Sequence, residues 1–91
     1  MKIFAKTVCK KEWGNETIEY CLFVTDPFIC DEIKENVFSV LGVTYREGVA
    51  VEDAFVYDVC RDEATALRVL EILRRNGVHP CQMSDVIADL R

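Results

Sequence analysis

The chain is poor in the residues that most often carry chemistry. It has one histidine, His79, and two serines, Ser39 and Ser84, so a serine–histidine–carboxylate arrangement has almost nothing to be built from. Its four glycines never fall into G-x-x-x-x-G-K-[ST], G-x-G-x-x-G or G-x-S-x-G. The phosphate-cradling loop, the dinucleotide fingerprint and the nucleophile elbow are therefore missing. No run approaches the roughly 18 apolar residues of a membrane-crossing helix. The opening Met1-Lys2-Ile3-Phe4-Ala5-Lys6 is broken by lysines too early for the apolar core of a secretion signal. Positive charge is also short. Eleven Lys and Arg against sixteen Asp and Glu leave a formal net charge of −5, which argues against the broad electropositive surface that nucleic acid or anionic lipid requires. Together these absences point to a cytoplasmic protein with no nucleic-acid or membrane partner. They weigh against a common hydrolase, kinase or dehydrogenase, and no cofactor is expected.

What is present is ordinary globular material. With 91 residues, 51% hydrophobic and 30% charged, the chain reads as a single α+β domain spanning 1–91. A domain of this size buries about 60–65% of the surface its unfolded chain exposes, enough for one core with little surplus. Any stray apolar face is then a candidate for self-association. The five cysteines (Cys9, Cys21, Cys30, Cys60 and Cys81) are odd in number, irregularly spaced and free of C-x-x-C. Without a secretion signal they read as small hydrophobes in a reducing compartment rather than a disulfide framework.

The first half alternates like sheet. Residues 2–13 and 17–25 pattern as a hairpin around Gly14-Asn15, and Gly at the first central position suits a type II′ turn. That turn sets Trp13 opposite Glu16. Ile3, Ala5, Thr7 and Cys9 then share the core face with Ile18, Tyr20, Leu22 and Val24, while Phe4, Lys6, Val8 and Lys10 share the other face with Glu19, Cys21, Phe23 and Thr25. Lys10 stands across from Glu19 as a favourable pair. Cys9 and Cys21 point to opposite faces and should not form a disulfide. Asp26-Pro27 ends the second strand, and 27–35 reads as a short helix or turn. Strand formers return over 37–45, Glu47-Gly48 marks a turn, and a fourth strand runs from about Val49, most clearly from Ala54 to Cys60.

The last thirty residues change period. Asp62 is placed to cap a helix over 63–76, Gly77 to stop it, and Pro80 to open a second helix with the stripe Met83, Val86, Ile87 and Leu90. The first helix carries Ala66, Leu67, Leu70 and Leu73, widened by Ala64, Val69 and Ile72. Glu71 and Arg75 are spaced for an i,i+4 pair. Strands followed by helices predict a four-stranded antiparallel meander sheet with two C-terminal helices packed on one face.

The sharpest chemical candidate is His79-Pro80-Cys81, where a thiol near a helix N-terminus and a nearby imidazole would suit a reactive or sensing cysteine. The plainer reading puts His79 in the cap region and packs Cys81 against the first helix. Cys60 added to this pair gives C-x₁₈-H-x-C, which is not a recognised metal spacing, and no fourth ligand is evident; no metal site is expected. Asp85 with Asp89, and Asp58 with Asp62 and Glu63, read as solvated carboxylates with Asp62 as cap. Lys2, Lys6 and Lys10 alternate onto one strand face, where they discourage edge pairing better than they would grip a nucleic-acid strand.

Thr44-Tyr45, the Asp58-Val59 strand end, Asp62, Val78-His79-Pro80 and Asp85-Val86-Ile87-Ala88-Asp89-Leu90 together make residues 40–90 resemble a family of small uncharacterised bacterial proteins known as a domain of unknown function. The resemblance implies a small cytoplasmic bacterial protein with no known activity. It carries no catalytic, cofactor-binding or metal-binding residue onto this chain.

The functional expectation is a small non-enzymatic interaction or regulatory module. Its partner is itself, as a homodimer, or another protein, met through the outer sheet face or the exposed part of the helical layer. The alternative is a thiol-based sensor or small-ligand-binding protein centred on Cys81 and His79.

Overall fold

Two tight turns string the front of the chain into a meander. In the computed structural model, which describes residues 2–26 and 37–90 (side chains for 8–25 and 37–90), β1 (Lys2–Trp13) and β2 (Glu16–Asp26) are joined through Gly14 at φ +55°. Asn15 is not left-handed, the sign pattern expected of a type II′ turn. β3 (Val37–Arg46) and β4 (Val49–Cys60) are joined through Glu47 and Gly48, both at positive φ, which is the type I′ pattern. The two turn ends touch: the Glu47 N–H donates to the Asn15 carbonyl at 3.1 Å. The short helix or turn expected over 27–35, and Cys30 with it, lie outside the described residues.

The sheet is antiparallel in the order β1-β2-β3-β4. From Trp13↔Glu16 to Thr7↔Leu22 the first hairpin has the expected register, with Lys10 opposite Glu19. Between Ala5 and Thr7 the pairing slips by one residue. Phe4 therefore pairs with Val24 and Ala5 with Phe23, exchanging the faces assigned to the first residues of β1. Strict alternation carries no mark of an inserted residue, so this bulge was not legible. Cys9 and Cys21 stand opposite Tyr20 and Val8 respectively, so they point to opposite faces, and both are free thiols. A second slip, near the end of β4, is built around Asp58 at φ +56°. The Asp58 N–H donates to Ser39 Oγ at 3.1 Å. Asp tolerates this left-handed conformation better than most side chains.

The helices α1 (Glu63–Asn76) and α2 (Pro80–Leu90) cover one face. α1 lies mainly over β2 and β1, and α2 over β4 and β3. Asp62 caps α1 as expected: its carboxylate accepts from the Thr65 N–H at 2.9 Å and the Thr65 hydroxyl at 2.8 Å, which holds the carboxyl below its ordinary value. At the other end Gly77 takes φ +58°, its N–H donating to Arg74 O while the Val78 N–H donates to Leu73 O. That pair of bonds is a Schellman stop. Only glycine fits there for a second reason as well, since a Cβ would collide with the Trp13 ring. Gly42 gives α2 its close approach, because a Cβ there would occupy the space of the Met83 sulfur.

The core joins Ile18, Tyr20 and Leu22 of β2 and Phe38 and Val40 of β3 to Ala66, Val69, Leu70 and Leu73 of α1 and Met83 and Ile87 of α2. Tyr20 supplies a buried polar tether, the hydroxyl donating to the Val78 carbonyl at 2.7 Å across 58 residues. The expected stripe of α1 is rotated: Val69 is buried and Leu67 is exposed. With α2 lying beside it over the other strands, α1 needs no wider apolar face. Glu71 pairs with Arg74 rather than Arg75, an i,i+3 contact on the flank of the helix.

Two outcomes follow from this packing. Leu70, 4% exposed, and Leu67, 44% exposed, are neighbours on α1 with opposite fates. Leu70→Ala should cost about 2–5 kcal/mol in urea unfolding, and Leu67→Ala under about 1 kcal/mol. Tyr20→Phe should cost about 1–3 kcal/mol, because it strands a buried carbonyl. Burial, with Cys9 nearby, pushes the Tyr20 phenol from 10.0 up to about 12. The folded chain therefore keeps a proton that the unfolded chain releases. Stability is complete below pH 10 and falls as pH climbs from 10 to 12. Unfolding midpoints across that range should show the fall in the wild type and a shallower one in Tyr20→Phe.

Candidate functional site on the uncovered sheet face

Strand alternation sends half of every strand away from the helices. On this outer face Val8 of β1, Cys21 of β2, Leu41 of β3 and Phe55 of β4 stand in one row across the sheet, joined by the pairings Val8↔Cys21, Cys21↔Leu41 and Leu41↔Phe55. The next row toward the chain's second bulge holds Phe23 opposite Ser39, with Tyr57 following on β4. Phe23 and Phe55 meet edge to face with ring centroids 6.2 Å apart. No described element packs here. Val8 is 48% exposed, Phe55 48% and Tyr57 50%. The row on the other side carries three charges, Lys10, Glu19 and Asp53, with Val43 between the two carboxylates. The outer face thus carries an apolar band with a charged row along one side.

His79 and Cys81 sit at the corner between the helices, and the structure turns them apart. The Pro80-opened helix leaves Cys81 exposed rather than packed on α1. The His79 carbonyl accepts from the Gln82 N–H at 2.9 Å, which makes His79 the cap residue. Its imidazole faces the tip of the first hairpin, 5.7 Å from the Trp13 ring centroid, with Nε2 3.8 Å from Glu16 Oε1. Glu16 Oε2 accepts from Arg46 at 3.0 Å. Among the described residues no hydrogen bond joins His79 to the Cys81 thiol. Cys9 and Cys21 are half-buried, and burial pushes both thiols up; Arg74 partly opposes this at Cys9, and Glu19 adds to it at Cys21. Cys60 ends β4 with its thiol on the Asp62 carbonyl at 3.4 Å.

The remaining candidates are dispersed. Asp58 forms a two-pronged pair with Arg61 at 2.9 and 3.1 Å, Asp62 is occupied as cap, and Asp85 and Asp89 are exposed on α2. Among the described residues no three His, Cys, Asp or Glu side chains converge as metal ligands. No described helix is long and apolar enough to cross a membrane. Sequence reasoning missed the packing of Trp13 on Gly77 and His79. Its signal was there, because the parity that puts Cys9 on the core face also puts Trp13 there.

No family model, curated protein or solved structure matches the chain.

The cysteines make an order that labelling can read. In the native protein Cys81 should be alkylated at least tenfold faster than Cys9 or Cys21, since Cys81 is exposed while burial both shields those two thiols and holds them protonated. Mass spectrometry of timed maleimide reactions would show this, and Cys81→Ser should remove the fast phase.

Proposed function

We propose that the protein is a small non-enzymatic interaction module of the cytoplasm that associates with a second copy of itself through the outer face of its sheet. The observation that carries this reading is the apolar row Val8, Cys21, Leu41 and Phe55, backed by Phe23 and Tyr57, on a face that no described element covers. A four-stranded face of four residue rows, with strands about 4.8 Å apart, offers about 500–700 Å² per copy. Two such faces bury about 1,000–1,400 Å², the lower end of the range for specific interfaces. The net charge of −5 limits promiscuous association and leaves the apolar band as the favoured contact.

A second reading has one observation in its favour. Cys81 is exposed at the start of α2, as a thiol-based sensor or small-ligand protein centred on Cys81 and His79 would need. The separation of His79 from Cys81 weighs against it, since the imidazole then does not assist the thiol. If the alkylation rate of Cys81 follows pH like an ordinary thiol, this reading fails.

Sedimentation velocity at 1–100 µM tests the first reading (~ a working range for micromolar to submicromolar association). The wild type should move as a dimer. Phe55→Glu, which sets a charge in the middle of the apolar band, should weaken association at least tenfold while leaving far-UV dichroism unchanged. A wild type that stays monomeric across the range would exclude self-association.

A further inference from the structure

If the outer face is the dimer face, its charges specify how the two copies lie on each other. Two sheets stacked face to face with a two-fold axis between them have two simple arrangements. With the axis parallel to the strands, β1 of one copy lies over β4 of its partner, and each residue row meets its own row reversed. With the axis across the strands, each strand meets its own copy, and rows from one end of the sheet meet rows from the other.

The side chains distinguish these cases. Lys10 sits on edge strand β1 and Asp53 on edge strand β4, in the same row, with Glu19 and Val43 between them. Three strand spacings separate Lys10 from Asp53, about 14 Å, so they cannot pair within one chain. With the axis along the strands, Lys10 of each copy comes over Asp53 of the other, and the dimer gains this contact twice. The same operation sets Val8 over Phe55, a smaller side chain against a large one, both half-exposed. With the axis across the strands and the apolar row at its centre, the Lys10 row instead meets the Phe23 row. Glu19 then lies against Phe23 and Asp53 against Tyr57, which desolvates both carboxylates on aromatic rings and leaves Asp53 without the partner's Lys10.

We infer that two copies of the chain stack with the two-fold axis parallel to the strands, Lys10 of each copy pairing with Asp53 of the other. This rests on the self-association proposed above and adds its geometry. Sheets stacked this way keep their strands within about 30° of each other, the aligned packing of two twisted sheets.

Exchange of the charges tests it. Lys10→Glu and Asp53→Lys should each weaken the dimer about tenfold or more in sedimentation, because each sets like charges together twice. The double variant should return to within about threefold of the wild type. Lys10→Glu also faces Glu19 within its own chain, so thermal melts accompany each variant. Should it unfold, the neutral pair Lys10→Gln and Asp53→Asn replaces it, with non-additive losses expected. A wild-type dimer abolished by Phe55→Glu but indifferent to the charge variants, or a double variant weaker than either single, would overturn the stacking geometry and leave the dimer face standing. A monomeric wild type would overturn both.

Discussion

The fold turns on the hydrogen bond from the Tyr20 hydroxyl to the Val78 carbonyl. Gly77 ends α1 in a left-handed conformation, and the chain must then reverse before Pro80 can open α2. Val78 is the buried residue of that reversal, and its carbonyl is past the helix whose amides would have paired it. Left alone there it would carry the desolvation cost of an unpaired polar group. Tyr20 removes that cost and at the same time ties the corner of the helical layer to the middle of β2. The ring fills the core beneath while the hydroxyl reaches the corner. Trp13 closes over Gly77 from the hairpin side. The corner is thus held from two strands' worth of side chains.

This anchoring decides where the helices cannot go. Both are held to the face of Ile18, Tyr20 and Leu22, with Met83 seated in the gap left by Gly42. The apolar residues of the other face, Phe23, Leu41 and Phe55 among them, have no described helix to meet. A chain of this length has one core's worth of covering material. The asymmetry follows from topology: both helices come after all four strands, joined by a corner too short to let one cross to the opposite side.

Most of this was legible because three signals agreed: alternation in the strands, caps and stops in the helices, and a two-residue turn at Gly14-Asn15. Asp62, Gly77 and Pro80 delimit the helices through backbone chemistry that needs no tertiary context. What depended on context was not legible. The slip at Ala5/Thr7 leaves no trace in residue type, and Leu67 against Val69 is settled by where α2 lies rather than by the stripe on α1. The outer apolar row could be read within the first hairpin but not across the sheet, since aligning Cys21 with Leu41 needs the register of β2 on β3, and the slip at Thr44/Tyr45 sets Leu41 opposite Phe55 in place of its neighbour Ala54. The orientation of His79 was hidden in the same way, because its neighbour Trp13 lies 66 positions earlier in the chain.

For the proposed assembly, the edges matter as much as the face. An open sheet has two edges, and an apolar sheet that also pairs edge to edge grows without limit. Both edge strands here are interrupted. β1 carries the slip between Ala5 and Thr7, and β4 carries two, one near Thr44/Tyr45 and one at the left-handed Asp58. Each interruption twists the edge and breaks the ladder that an incoming strand would need. Charge reinforces this, since Lys10 on one edge and Asp53 on the other face out from the sheet rather than along it. Edge addition is blunted while the outer face keeps its apolar row, so the proposed association through a two-fold axis would close on itself after two copies.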